Sequence, residues 1–402
     1  MKWASSISLQ ESIPAALEEA AEGICNEITD GSLDVSFLFY SPKLEGDASQ
    51  IPSLLMRHLQ PGMLIGCSAE GVIGGGLEVE RRPALSLTCA KLPGVNIIPT
   101  YTDAMDLPDG DAPPQAWREC LGIRDGINPH FILLVDPFTP HVEDLISGLD
   151  YVFPETSKIG GLASGGRSQG TNTLNLLDQV YRSGIVGLAL SGDIVIDTVV
   201  AQGCRPIGKT MRVTDCDGNV LKKIDGECPL DVLENIAPTL SAHDRELMAS
   251  SLFVGVGMDP LSGARDLERG DFLIRNLIGA DHASGVLVVA DQLRIGQAIQ
   301  FQLRDSQTSA LDLEIMLSSC VDAPGYSTPA GALLFSCLGR GEHLYGVPDY
   351  DSSIFREKAG EIPLGGFFCN GEIGSVANTT HIHGYTSSFG LFSSGSRENS
   401  KE

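Results

Sequence analysis

Three times along this chain a short, mostly apolar run is followed by a helical pattern and then by a glycine-rich turn. The runs are Val35–Tyr40 (VSFLFY), Phe131–Asp136 (FILLVD) and Ala332–Cys337 (ALLFSC), a composition that suits strands buried on both faces. The helical patterns are Ile51–Leu59, Val142–Phe153 and Ser352–Lys358. The turns are Ile65–Gly71 (IGCSAEG), Ile159–Gly166 (IGGLASGG) and Leu364–Glu372 (LGGFFCNGE). Strand start to turn glycine is 31 residues from Val35 to Gly66, 29 from Phe131 to Gly160 and 33 from Ala332 to Gly365. A β-α-β crossover needs about 30 residues. Each turn is expected to run into a further strand, at Ala84–Leu92, Gly184–Leu190 and Gly384–Phe392. Spacing and order agree, which argues for a repeat over chance likeness among glycine turns.

Between the second and third units the pattern changes. Asp193–Gln202 reads as a strand, and Thr210–Lys223 as a hairpin around Asp217, Gly218 and Asn219. Pro229 opens a short helix through Ile236. Ser251–Gly257, Phe272–Ile278, Ser284–Ala290 and Gln297–Leu303 read as an antiparallel meander, closed by a helix from Ser309 to Ser319. The small, polar tail 393–402 is expected to be disordered. The fold class is α/β, with mixed sheets flanked by helices.

Composition excludes several functions. With 52 acidic and 27 basic residues the net charge is −25, which repels nucleic-acid backbones and anionic lipid. Asp193 and Asp197 break the most apolar stretch, Ser183–Ala201, so no membrane insertion is expected. Acids and polar residues fill the place of a signal peptide's apolar core. The ten scattered cysteines form no CxxC pair, which fits reduced thiols and a cytoplasmic location.

The repeated blocks resemble the FIST family. The C-terminal match carries GALLFSCLGRG (Gly331–Gly341), PDYD (Pro348–Asp351), PLGGFFCNGEIG (Pro363–Gly374) and HGYT (His383–Thr386). The N-terminal half carries GCSAEGVIGG, IGGLASGG, GIVGLALSG and AQGCRPIG. The resemblance implies two related halves packed together, a FIST N domain over 28–230 and a FIST C domain over 231–392. It implies small-ligand binding, with amino acids proposed as ligands. Members occur fused to signalling modules or, in eukaryotes, to an F-box. One departure concerns specificity: where members often carry Pro after GEIG, this chain has Ser375.

The residues supply a ligand set of their own. Gly365, Gly366 and Gly371 free backbone N–H groups, Asn370 both donates and accepts, and Glu372 adds a carboxylate. Arg340, in a loop placed opposite, can clamp a carboxylate or pair with Glu372. Cys369 and Cys67 are read as counterparts in units three and one, with Ser164 near that place in unit two; Ser68 and Glu70 complete the expected ligand-binding set. No catalytic residue, metal or cofactor is predicted.

The leading function is a non-catalytic sensory protein that signals to an effector protein. One alternative, implied by the resemblance, is a haem-based nitric oxide sensor with a single axial His or Cys. A second is a thiol enzyme using Cys369 or Cys67, with His383 as the candidate base. A third is an interaction scaffold without a ligand. Two motif matches fail on context. GCRPIGKT (Gly203–Thr210) fits a phosphate-binding loop, yet the β-rich MRVTDCDG follows where a helix is required. GRSQG (Gly166–Gly170) fits a nucleophile elbow, yet a glycine turn precedes it and polar TNT follows. His381 and His383 form an H-x-H pair without a further ligand cluster apparent in sequence.

Overall fold

The structure, a computed structural model, describes residues 1–29, 31–258, 271–376 and 378–395. It divides into two compact units, Met1–Val200 with Glu314–Glu402, and Ala201–Leu313. The larger is called the body and the smaller the barrel. The sequence was read as halves joined near residue 230, whereas compactness separates an internal segment from both flanks.

In chain order the first repeat is β1 (Lys2–Ser8), α1 (Ile13–Glu27), β2 (Val35–Tyr40), α2 (Ile51–His58), β3 (Met63–Ser68), the hairpin strands β4 (Gly71–Gly74) and β5 (Leu77–Glu80), and β6 (Leu85–Lys91). The second is β7 (Val95–Thr102), α3 (Pro114–Cys120), β8 (His130–Val135), α4 (Val142–Val152), β9 (Lys158–Leu162), the hairpin β10 (Leu174–Leu176) and β11 (Gln179–Tyr181), and β12 (Ile185–Gly192). The third opens at β13 (Val195–Ala201) and is then interrupted. The interruption holds β14 (Cys204–Asp217), β15 (Val220–Ile224), α5 (Pro229–Ile236), α6 (Ala242–Ser250), β16 (Leu252–Gly257), β17 (Phe272–Asp281), β18 (Val286–Val289) and β19 (Ala298–Arg304). The repeat resumes with α7 (Ser306–Val321), β20 (Gly331–Cys337), α8 (Glu342–Tyr345), α9 (Tyr350–Ala359), β21 (Leu364–Cys369), the hairpin β22 (Glu372–Val376) and β23 (Thr379–His383), and β24 (Ser387–Ser393).

Each repeat builds one mixed sheet from its own four long strands and borrows a hairpin from another repeat. The sheet orders are β1-β6-β2-β3-β10-β11, β7-β12-β8-β9-β22-β23 and β13-β24-β20-β21-β4-β5. The first sheet thus takes the second repeat's hairpin, the second takes the third's, and the third takes the first's. This cyclic exchange links the three sheets, here called wings. The sequence reading ran each turn straight into the next long strand and missed these hairpins, whose strands are only three to five residues long.

The wings share one core, in which Phe37, Phe39, Ile132, Leu134, Phe335 and Phe367 are all buried. Helices cover the outer faces. α1 buries Ile13, Ala16, Leu17, Ala20, Ala21 and Ile24, a period near 3.6 that sets one face on the sheet. In α4, Gly148 leaves room for Trp117: a Cβ there would lie 2.1 Å from the indole.

The parallel pairs fix the repeat's register. Leu38 faces Gly66, Leu133 faces Gly160 and Leu334 faces Gly366. A Cβ on these glycines would lie 2.1, 1.8 and 1.8 Å from the facing leucine's carbonyl oxygen. Close backbone approach therefore demands glycine at one position in all three repeats. In the third repeat that position is Gly366, one residue beyond the Gly365 expected from spacing. Counting onward, Cys67 matches Gly161 and Phe367, Ala69 matches Ala163 and Cys369, and Glu70 matches Ser164 and Asn370. Cys67 and Cys369 are not counterparts.

The barrel closes as β14-β15-β18-β17-β16-β19 around Ile207, Met211, Leu221, Val254, Val289 and Phe301. β14 pairs with β19 through its first part and with β15 through its second, with register shifts after Ile207 and Val213. Such bulges bend a strand and let a small sheet close on itself. The GCRPIGKT segment falls at the start of this strand, so no helix follows Lys209. Among the described residues no helix is long and apolar enough to cross a membrane.

Candidate functional site

Glu70, Ser164 and Asn370, the equivalent residues just past the second strand of each parallel pair, line a single cavity of about 560 Å³ in the body. Gly71, Gly166 and Phe368 from the same turns join them. Pro137, Phe138 and Leu338 come from the segments that follow β8 and β20, and Glu80 and Arg81 from the end of the β4–β5 hairpin. Arg167 completes the lining. In a parallel pair, the ends that follow both strands lie on one side, and all three pairs present that side here.

The turns are tied to one another through Ser164. Its buried hydroxyl accepts from the Glu70 N–H at 3.0 Å and donates to the Phe368 carbonyl. Asn370 donates from Nδ2 to Ala163 O at 2.9 Å, and its backbone N–H donates to Leu162 O at 3.0 Å. Ser68 O accepts from the Ser164 and Gly165 N–H groups at 3.3 and 3.1 Å. The second turn is anchored from below. Asn172 Oδ1 accepts from the Gly166 N–H at 2.7 Å, and Asn172 Nδ2 donates to buried Asp136 at 3.0 Å. Burial pushes the Asp136 carboxyl up, while its bond to Asn172 works the other way.

Three residues of the expected set, Glu70, Ser164 and Asn370, line this cavity. The other five are not part of its lining. Ser68 is buried and accepts from the Thr173 N–H at 2.9 Å. Cys67 and Cys369 are fully buried, and burial raises both thiols well above their ordinary range. His383 Nε2 meets Gly374 O at 3.0 Å.

Arg340 is also fully buried, paired bidentately with Asp351 at 2.9 and 3.0 Å, with Tyr345 on its outer nitrogen. The sequence offered Glu372 as its partner; Asp351 holds that place and also accepts from the Ser336 and Ser387 hydroxyls. Burial opposes the charge of both groups, but each holds the other ionised, so Arg340 is raised and Asp351 lowered. Glu372 is buried and accepts from the Thr386 N–H at 3.2 Å.

Sequence reasoning missed Glu80, Arg81, Phe138, Arg167, Leu338 and Phe368. Glu80 and Arg81 reach the cavity only because the hairpin crosses to another repeat's sheet. The cavity lining offers haem no axial His, Cys, Tyr or Met, so this site does not fit that group. Among the described residues no group of three or more His, Cys, Asp or Glu side chains can hold a metal ion.

The sequence itself has counterparts among known proteins. The FIST N domain family model matches 34–227 and the FIST C domain model matches 229–375. The chain belongs to the FIST family, whose domains are associated with sensory signal transduction. An uncharacterized protein of Mycobacterium tuberculosis is 34% identical over 98% of this chain and 100% of its own length. Another, of Mycobacterium bovis, is 35% identical over 94% of this chain and 95% of its own. An F-box/LRR-repeat protein of Arabidopsis thaliana is 24% identical over 61% of this chain and 52% of its own. A solved cyanuric acid hydrolase from A. caulinodans aligns over 98% of this chain and 99% of its own at 9% identity, with a TM-score of 0.33.

Proposed function

We propose that the protein is a non-catalytic sensor that binds a small metabolite in the cavity where the three turns meet. One observation carries the reading: equivalent positions of all three repeats, Glu70, Ser164 and Asn370, open on the same hollow. A few polar groups converging in a partly apolar pocket is the usual make-up of a ligand site. An amino acid is the ligand class that the family resemblance suggests. The two cysteines considered as nucleophiles are buried with raised pKa values, which supports binding over thiol catalysis.

Because Ser164 ties the first turn to the third, a ligand touching all three alters how the repeats are held. It favours one arrangement by its differential affinity. A separate effector protein, in the cytoplasm, reads that arrangement. Native mass spectrometry of freshly purified protein tests the reading. A small molecule released from wild type and absent from Ser164→Trp, which fills the hollow, is the expected result. Retention of the same molecule by Ser164→Trp places its site elsewhere and overturns the reading.

A further inference from the structure

The charges around this cavity are unequally committed. Glu70 lies 3.8 Å from Lys43 Nζ, and Lys43 is itself bonded to Arg81 O at 2.7 Å. Glu80 Oε1 accepts from the Glu342 N–H at 2.8 Å. Burial raises the Glu80 carboxyl, against that bond and the nearby Arg81. Both carboxylates of the lining are thus occupied within the body. Its two guanidinium groups are not: among the described residues neither Arg81 nor Arg167 makes a side-chain hydrogen bond or ion pair. In a chain with 27 bases against 52 acids, a lining in which two guanidinium groups match two carboxylates is locally rich in cations.

The backbone gives a second, independent sign. Arg81 sits at φ 59°, a left-handed conformation that a long side chain adopts at a cost of about 1 kcal/mol or more. It is held there at the end of the β4–β5 hairpin, its N–H directed at Glu70 O at 3.4 Å. Arg167 follows Gly166, the residue pinned by Asn172 and Asp136. Each arginine therefore leaves a constrained piece of backbone at the cavity.

We propose that the cavity selects an anionic small molecule, whose carboxylate or phosphate group is held by Arg81 and Arg167. The inference rests on the cavity being a ligand site and names its ligand class. Guanidinium groups suit both anions, since their fork of donors matches paired oxygens. Ser164, Asn370 and Glu70 differ from one another, so the ligand need not share the threefold arrangement of the turns.

The test uses the whole chain and four probes at constant ionic strength: inorganic phosphate, succinate, its neutral diamide, and putrescine. Binding is measured by calorimetry on wild type, Arg81→Gln/Arg167→Gln and Ser164→Trp. At least one anion is expected to bind about tenfold or more tighter than the diamide and putrescine. The double variant is expected to lose about tenfold of that affinity, and Arg81→Lys/Arg167→Lys to recover part of it. Ser164→Trp abolishes it. Phosphate and succinate tell the two anion types apart.

Equal binding of the diamide or putrescine overturns the anion assignment, as does unchanged anion affinity in Arg81→Gln/Arg167→Gln. Failure of both anions to bind wild type at millimolar concentration overturns it too. A molecule that carries no carboxylate, phosphate or other anionic group, and that co-purifies with wild type but not with Ser164→Trp, overturns the anion class and leaves the cavity reading standing. Anion binding that survives Ser164→Trp overturns both.

Discussion

Two sets of glycines and two ion pairs, one of each in the body and one in the barrel, sit in contrasting surroundings. In the body, Gly66, Gly160 and Gly366 sit against backbone carbonyls, and Arg340 and Asp351 are buried face to face. In the barrel, Gly226 and Gly296 occupy turns with nothing within 4 Å of an added Cβ, and Arg205 shares its charge between partly exposed Asp244 and Asp305. None of the residues lining the cavity at the three turns comes from the barrel. Where glycine is forced by close approach, strand ends are brought together and a site can form between them. Where glycine only turns a corner, it leaves a hairpin.

Removing one charge from each ion pair should show the largest contrast. Asp351→Ala strands Arg340 without its buried partner and is expected to cost about 3–5 kcal/mol. Asp244→Ala leaves Arg205 with Asp305 and water, and is expected to cost less than about 1 kcal/mol after screening. Both tryptophans, Trp3 and Trp117, lie in the body, so their fluorescence in urea reports its unfolding, while far-ultraviolet circular dichroism follows both units. Equal losses would break the contrast.

The glycines come next. Gly366→Ala, which drives a methyl group onto Leu334 O, is expected to cost about 3 kcal/mol. Gly296→Ala meets only the strain of φ 89° and is expected to cost about 1 kcal/mol. A mild Gly366→Ala would mean that the parallel strands can separate there, and the repeat's shared register would lose its cause. Ser164→Ala should cost about 1–2 kcal/mol, since it removes a buried hydroxyl with two partners. Hydrogen exchange should then rise at Glu70 and its neighbours but not in the barrel.

A smaller effect appears with pH. Glu78 on β5 is pushed up to about 8, by burial first and then by the charge of Asp351, although Ser352 donates to it at 2.6 Å. A carboxyl raised on folding contributes stability below the ordinary carboxylate range, and that stability is lost as pH rises through the folded-state value. Wild type is therefore expected to lose about 2–3 °C in Tm between about pH 7 and about pH 8.5, and Glu78→Gln to lose less. An identical decline in both would remove Glu78 from the account.

Much of this difference was written in local sequence. The buried runs VSFLFY, FILLVD and ALLFSC became β2, β8 and β20, and the four strands expected as a meander became β16 to β19, although β19 returns to pair with β16 and not with β18. These are patterns of a few residues, set by burial on both faces or on one. What crossed between repeats was not legible. The β4–β5 hairpin is too short to show alternation, and nothing in its own residues says that it joins the third sheet. Arg81 was hidden with it. Arg340 looked like a ligand clamp because loop charges beside glycine often are; its burial against Asp351, eleven residues on, depends on how α9 packs. The tail was expected to be disordered; residues 396–402 of it lie outside the described residues.

The central claim is that three turns enclose one ligand site. Hydrogen exchange on the intact chain, with and without the small-molecule fraction of a cell extract, tests it most directly. Simultaneous protection of peptides covering Gly66–Gly71, Gly160–Arg167 and Gly366–Gly371 is the predicted result. Protection confined to the barrel, or absent from all three turns, would contradict it.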